Sequence, residues 1–457
     1  MLKSKHTALG GQAINSYSNE RKSEETKVSF RNYRFDSSPK LIYFTAFYPY
    51  GIGEEWKYHE LKALTKCFKS ILVVPTSDGG DTSIRKPNIK GVDYHEPLMI
   101  RQESRSILHK IFKVLTSPSV LSFLKELVRI PCKTTKTIFG WLNSSYQITR
   151  YLEHPFFKSL EMSNDPCILY FFWGRGTSEI VPFLRNKNLI TVIKFHRFDL
   201  YNHLYPGNYI PYQTLQIKKS DLLLPISHSG QEYFNSAFSE MVNKVVVSPL
   251  GTEHKGMAFS SDDGILRIVS CSLIKKVKRI DLMAKAIGSI PSNIEVIWTH
   301  IGDGSKEEKA KLESITQFFP KHIHVTMTGF VKSEEVKSYY VDQKVDLFLN
   351  SSSSEGIPVS IMEAYSCGIP AIAGDVGGVK EVVNDENGTL LPEGFTASQL
   401  CTAILEFYGL SDWEKQKKRD AAFRTFRAKF EAETNGGVLA QLLLTRFVKK
   451  SLTSDLT

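Results

Sequence analysis

Residues 350–378 read "NSSSSEGIPVSIMEAYSCGIPAIAGDVGG", and the order of residue types in this stretch decides the fold. The run "VDLFLN" (345–350) that leads into it is a short apolar strand, and "IPAIAG" (369–374) is another. The residues between them predict a helix. Pro358 suits its first position, where a missing N–H has no partner to lose, and Gly368 suits its end, where positive φ is common. A strand–loop–helix–strand unit builds a parallel sheet, and such sheets hold ligands at the C-terminal edges of their strands. Glu355 then precedes the helix and Glu363 lies inside it. With a rise of about 1.5 Å per residue, Glu363 stands roughly 7 Å beyond Pro358, so two carboxylates can grip two parts of one elongated ligand. The helix N-terminus between them offers unpaired N–H groups and the positive end of a dipole, which suits phosphate.

The same alternation extends outward in both directions. In the N-terminal half, "KLIYFT" (40–45) and "ILVV" (71–74) flank a Pro/Gly loop and a helix, and "CILYFFW" (167–173), "LITVIKF" (189–195) and "DLLLPI" (221–226) read as further buried strands. The pattern restarts with "LRIVSCS" (266–272), "IEVIWTHIGDG" (294–304) and "HIHVTMTGF" (322–330), with helical segments such as "KRIDLMAKAI" (278–287) and "SEEVKSYY" (333–340) between strands. This predicts an α/β protein with two Rossmann-like doubly wound domains. The chain of 457 residues is also longer than one core comfortably fills. The expected division is a polar N-terminal tail over 1–38, a first domain over 39–230, a second over 231–435, and a C-terminal helix or tail over 436–457.

With 42% hydrophobic and 23% charged residues the composition is that of a globular protein, and no apolar run reaches the roughly 18 residues of a membrane span. The first thirty residues lack an apolar segment behind their basic start, so a cytoplasmic location is expected. Six scattered cysteines without a CxxC pair imply reduced thiols and no metal cluster. The net charge of +10 is uneven: residues 1–230 hold 32 Lys and Arg against 19 Asp and Glu, and residues 231–457 hold 26 against 29. Residues 101–150 mix nine basic side chains and two acidic ones with many apolar ones, a composition that suits either an anionic lipid surface or a solvated helix pair. No helix-turn-helix, finger or RNA-binding signature accompanies the basic charge, so nucleic acid is not an expected partner.

The pair Glu355 and Glu363, with Gly356, Ile357, Pro358, Val359, Gly368 and the "GDVGG" loop, resembles the E-x7-E signature of retaining glycosyltransferases of family 4, which have the GT-B fold. The resemblance continues through "YPYGIGEEW" (48–56), similar to the glycine loop of the exopolysaccharide, capsule and O-antigen branch. It implies that Gly51 and Gly53 approach acceptor and donor phosphates. "KFHRFDLY" (194–201) is similar to the segment carrying a cleft histidine, here His196. "CSLIKKVKRIDLMAKAI" (271–287) is similar to the segment that supplies a donor-phosphate lysine, here Lys278. "HIGDG" and "MTGFV" are similar to nucleotide-side loops, which puts Gly302, Asp303, Phe330 and Val331 beside the base and sugar-phosphate. Glu54, Arg197, Asp199 and Trp173 become candidate acceptor-side residues. Two departures stand out: "VSCSL" (269–273) lacks the arginine many members carry before the phosphate lysine, which leaves Arg279 or Lys276 as helpers, and Arg197 stands where glycine is more usual.

The resemblance implies metal-independent transfer of a sugar, with retention of configuration, from a nucleotide diphosphate sugar to a lipid-linked saccharide in surface polysaccharide assembly. It implies no cofactor, and with the basic N-terminal half it leads to an expected peripheral contact with the inner face of the cell membrane. Two rival readings are a nucleotide-sugar epimerase of similar architecture and a non-catalytic, nucleotide-sugar-binding partner subunit. A dinucleotide-dependent oxidoreductase is disfavoured, because no G-x-G-x-x-G follows the first strand of either domain.

Overall fold

The computed structural model describes residues 39–51, 54–80, 88–99 and 105–454. The expected tail at 1–38 and Gly53 lie outside the described residues.

Strands β1 (Lys40–Thr45), β2 (Ile71–Pro75), β3 (Val92–Tyr94), β4 (Cys167–Phe171), β5 (Leu189–Phe195) and β6 (Leu222–Pro225) form one parallel sheet in the order β3-β2-β1-β4-β5-β6. Strands β7 (Leu266–Cys271), β8 (Val296–Ile301), β9 (Ile323–Met327), β10 (Leu347–Asn350), β11 (Ala371–Gly374) and β12 (Gly388–Leu391) form a second in the order β12-β11-β10-β7-β8-β9. Each sheet has the doubly wound order in which the connections change direction once, between β1 and β4 in the first and between β7 and β10 in the second. These are two Rossmann-like domains in the GT-B arrangement. The ten strands read from apolar runs are all present. Sequence reading missed β3, where Val92 and Tyr94 are half-buried and Asp93 is exposed, and β12, whose "GTLL" holds only two apolar side chains.

Central strands covered on both faces become nearly continuous apolar runs, and every residue of β4 and β5 is buried. Lys194 in β5 is the exception in kind. Its ammonium lies 2.6 Å from Oε2 of Glu60 on the helix Lys57–Leu64, and the hydroxyls of Tyr43 and Tyr170, register partners on β1 and β4, donate to Oε1 of the same carboxylate. Three adjacent strands are thereby tied to one helix.

The expected division at 230/231 falls inside the helix His228–Ala237. That helix and the short turn Ser239–Lys244 return the chain to the first sheet, where Val245 pairs with Leu223 and the Ser248 amide donates to Pro225. The chain crosses to the second lobe at residues 249–252. After the helix Asp412–Lys429 it crosses back, and the helix Ala432–Ser454 packs on Lys57–Leu64 and β5, with Lys450 Nζ 2.8 Å from Asp221. The two crossings are joined: the Thr252 amide donates to Phe430 at 2.9 Å and the Ala432 amide to Thr252 at 3.0 Å.

Removing one member of a buried ion pair strands the other charge in a low dielectric. Lys194→Ala should therefore lower the stability measured by urea unfolding by roughly 3 kcal/mol or more. Lys194→Met combined with Glu60→Leu should recover most of that loss.

Candidate active site

Where β7 and β10 lie side by side (Leu347 opposite Ile268, Phe348 opposite Val269), their following loops part toward opposite faces and leave a crevice. The loop after β10 folds over the loop after β7. The Ser353 amide donates to Val277 at 2.8 Å, and the Ser351 hydroxyl is 2.8 Å from the Lys278 carbonyl and 3.0 Å from that of Arg279. This clasp brings the Lys278 ammonium into an ion pair with the Glu355 carboxylate, both only partly exposed. The two residues that the resemblance assigns to donor phosphate and transferred sugar thus meet at the switch point of the second sheet.

The helix that follows is Val359–Ser366. Pro358 is its N-cap, with ψ of 118°, so the helix begins one residue later than the sequence suggested. The amides of Val359 and Ser360 have no acceptor among the described residues, as expected for the first positions of a helix. Gly368 ends the helix with φ of +70°. The "GDVGG" loop lies directly on the Glu355–Gly356 backbone. A Cβ at Gly377 would sit 1.9 Å from the Glu355 carbonyl oxygen, and the Gly378 amide donates to the Gly356 carbonyl at 2.8 Å. Only glycine permits that approach, so the peptide carrying Glu355 is held from behind by backbone.

Glu363 is buried, and Ser333, at the start of the helix Ser333–Asp342, donates to it at 2.9 Å. Burial pushes the Glu363 carboxyl up, and the nearby Lys337 ammonium works against that shift. Lys337 is itself fully buried, 3.0 Å from Thr252 Oγ1 at the first chain crossing. Gly302, Asp303, Phe330 and Val331 follow β8 and β9 at the same edge of the sheet. The Gly302 amide donates to Gly329, and Asp303 pairs with Lys309 at 2.9 Å. Of the two expected phosphate helpers, the Arg279 guanidinium lies over the Phe395 ring and donates to the Phe395 carbonyl, and Lys276 is exposed.

Across the cleft, β5 ends in His196. Its ring packs at a tilt against both Phe172 and Trp173, with centroids 4.8 and 4.3 Å away. Both ring nitrogens are buried without a hydrogen-bond partner among the described residues, and Nδ1 is 3.6 Å from Asp199. Burial lowers the imidazole pKa, with Asp199 opposing, so the ring is neutral. Arg197 follows with its backbone against Gly356, and the Glu355 charge acts on its guanidinium.

Two expected acceptor-side carboxylates point inward instead. Asp199 is buried and accepts the amides of His196 (2.6 Å) and Gly174 (2.7 Å), so it fixes the loop. Glu54 is buried and accepts the amides of Phe47 and Tyr48, both at 2.8 Å, the Trp173 indole N–H and the Lys57 ammonium. Burial alone would raise the Glu54 carboxyl, but Lys57 and those amides hold it below its usual value. Trp173 therefore presents its ring face, with its polar edge already used. Gly51, with φ of +61°, joins Tyr48, Tyr50, Tyr58 and His59 in lining a cavity of about 300 Å³ whose opposite wall is Lys332, Ser333 and Glu334. Sequence reading passed over Lys57, Lys194, Ser333 and Lys337. The available signal was Lys194, a lysine inside an otherwise apolar strand of a parallel sheet.

Comparison with known proteins agrees with this geometry. Residues 251–424, which carry the second sheet, match the family of glycosyl transferases group 1. The chain is 29% identical over 226 residues to the amylovoran biosynthesis glycosyltransferase AmsK of Erwinia amylovora, covering 47% of this chain and 54% of that one. It is 26% identical over 222 residues to the putative colanic acid biosynthesis glycosyltransferase WcaL of Salmonella typhimurium, with the same coverages. The chain thus spans about half the length of the curated relatives it matches. Among solved structures, Anabaena HepE in complex with UDP and glucose superposes with a TM-score of 0.60 at 15% identity, covering 89% of this chain and 99% of that one. The apo lipopolysaccharide outer core galactosyltransferase WaaB does so at 0.59 and 15%, covering 88% and 99%. The likeness to the group 1 glycosyl transferase family thus lies in residues 251–424, and the chain has the GT-B fold.

Gly377→Ala should displace Glu355 and abolish donor binding in calorimetry, while circular dichroism still reports the fold. The buried histidines set a pH dependence. Burial pulls His59 and His300 down to about 4, and His196 also below its ordinary value. Each is protonated in the unfolded chain below about pH 6.5 but stays neutral when folded, so unfolding takes up protons. Stability should be full above pH 6.5 and fall on acidification toward pH 4. Glu363 acts oppositely between 4.5 and its raised folded value. In urea titrations at several pH values, His300→Gln should flatten the slope by about 1.4 kcal/mol per pH unit, the equivalent of one proton.

Proposed function

We propose that this protein is a retaining glycosyltransferase that moves a hexosyl group from a nucleoside diphosphate sugar to a lipid-linked saccharide during surface polysaccharide assembly. The observation that carries the reading is the meeting of Lys278 and Glu355 at the switch point of the second sheet, beside an open helix N-terminus and opposite His196. The amylovoran and colanic acid relatives support a polysaccharide product, and the complex of HepE with UDP and glucose supports a nucleotide-sugar donor.

Departure of a nucleoside diphosphate develops negative charge. Lys278 and the amides of Val359 and Ser360 meet that charge with fixed positive groups, a role that requires no metal. In the free protein Lys278 is held by Glu355. The donor phosphates take its place, and Glu355 is released to hold the hydroxyls of the transferred sugar and to stabilise positive charge at the anomeric carbon. Glu363, oriented by Ser333, accepts hydrogen bonds from the ribose hydroxyls, as an acceptor-only carboxylate can. Neutral His196, packed against Phe172 and Trp173 and with both ring nitrogens unpaired among the described residues, donates one N–H to the sugar or the leaving group. Closure of the cleft excludes water that would otherwise hydrolyse the donor.

A panel of UDP-, GDP-, ADP- and CMP-sugars should reveal one donor that releases free nucleotide in the presence of EDTA. Glu355→Gln should reduce that release at least tenfold. A variant keeping more than a tenth of wild-type transfer would falsify the assignment of Glu355. Glu363→Gln should chiefly raise the donor KM.

A further inference from the structure

Of the large apolar side chains that the described residues expose, a disproportionate share sits on one short stretch. The helices Ile107–Leu115 and Val120–Arg129 meet at a bend of 114°, and no single described helix is long and apolar enough to cross a membrane. A surface helix ordinarily buries its apolar stripe and shows polar residues to water. These two do both at once. Val114 and Phe123 point inward to a cluster around Trp141 and Tyr212, and Glu126 is buried, accepting from the Tyr209 hydroxyl at 2.9 Å and the Tyr212 amide at 3.0 Å. Outward stand Leu108 (78% exposed), Phe112 (64%), Leu121 (71%) and Val128 (74%). Leu108 and Phe112 are one turn apart, Leu121 and Val128 two turns apart, so each helix has a second, outward apolar face.

Charge identifies what covers this face. Between residues 105 and 139 there are seven Lys and Arg and a single acid, Glu126, which is buried. Lys125, Arg129, Lys133 and Lys136 are exposed around the apolar ridge. A second copy of the chain would bring two such basic rims together and repel. An anionic bilayer accepts both components, the apolar side chains below its headgroups and the basic rim at the phosphate level. We infer that this bent helix pair is a monotopic docking surface for anionic phospholipid membranes, with Leu108, Phe112, Leu121 and Val128 as the inserting residues.

The surface is joined to the cleft. The loop that begins at His196 and Arg197 ends at Tyr209 and Tyr212, which are hydrogen-bonded to Glu126 on the second helix. One continuous segment thus links the bilayer-facing helices to the acceptor side of the site. Docking itself does not rest on the catalytic reading. The link to a lipid-linked acceptor does.

The test is flotation of the full chain with phosphatidylglycerol vesicles and with phosphatidylcholine vesicles, alongside donor hydrolysis in free solution. The wild type should float with the anionic vesicles and not with the neutral ones. Leu108→Ser with Phe112→Ser should reduce binding at least tenfold, as should Lys125→Glu with Arg129→Glu, and neither pair should alter hydrolysis because all four side chains are exposed and none belongs to the site. Absence of binding to anionic vesicles, binding undiminished in both double variants, or a homodimer by light scattering that the Leu108/Phe112 variant dissolves would each overturn the inference. Loss of hydrolysis with intact flotation would count against the catalytic reading alone.

Discussion

Two neighbouring parallel strands whose connections run to opposite faces cannot have their C-terminal ends covered by the same loop. That constraint, met at β7 and β10, organises the site. The gap it leaves is filled as far as backbone permits: Ser351 and Ser353 fasten one loop to the other, and Gly377 lies in contact with the Glu355 carbonyl. What remains projecting into the crevice is an ammonium, a carboxylate and the first amides of a helix. The first sheet repeats the order, and its own edge contributes, from the opposite side, a histidine packed against two aromatic rings.

Around this crevice the protein buries more charge than a core needs for cohesion. Lys57 with Glu54, Lys194 with Glu60 and Lys337 near Glu363 each lie within a few residues of a segment that lines the cleft. A buried pair contributes little net stability over an apolar pair of similar volume, because desolvation offsets most of the attraction. Its geometry is demanding, however, and each of these pairs holds an element in one position: the glycine loop through Glu54, the strand before His196 through Lys194, and the nucleotide-side helix through Lys337.

The fold was largely legible in the sequence, because strands buried on both faces are written as apolar runs that no other structure explains as well. Lys278, Glu355 and Glu363 were legible because their positions are tied to strand ends and to Pro and Gly signals. What the sequence leaves open has one physical source. A carboxylate after a strand reads the same whether it faces solvent or turns back to collect amide protons, as Glu54 and Asp199 do. Arg279, one residue from Lys278, is drawn to the Phe395 ring and carbonyl, a contact 116 positions away that local sequence does not encode. The bent helix pair was visible as a basic, apolar region, but only the structure separates the side chains that anchor it from those it leaves bare.

The two crossings of the chain between its lobes, near residues 250 and 431, lie against each other, so closely that a Cβ at Gly251 would fall 2.6 Å from Ala432 Cα. Away from that seam the lobes also meet directly: the amides of His228 and Ser229, on the first lobe, donate to Glu381 on the second, each at 2.8 Å. The helix Ala432–Ser454 is bolted to the first lobe beyond the seam, so it travels with that lobe. The spacing of His196 and Glu355 across the cleft is therefore fixed at more than one place, by the paired crossings and by the contact of Glu381 with the start of the helix His228–Ala237.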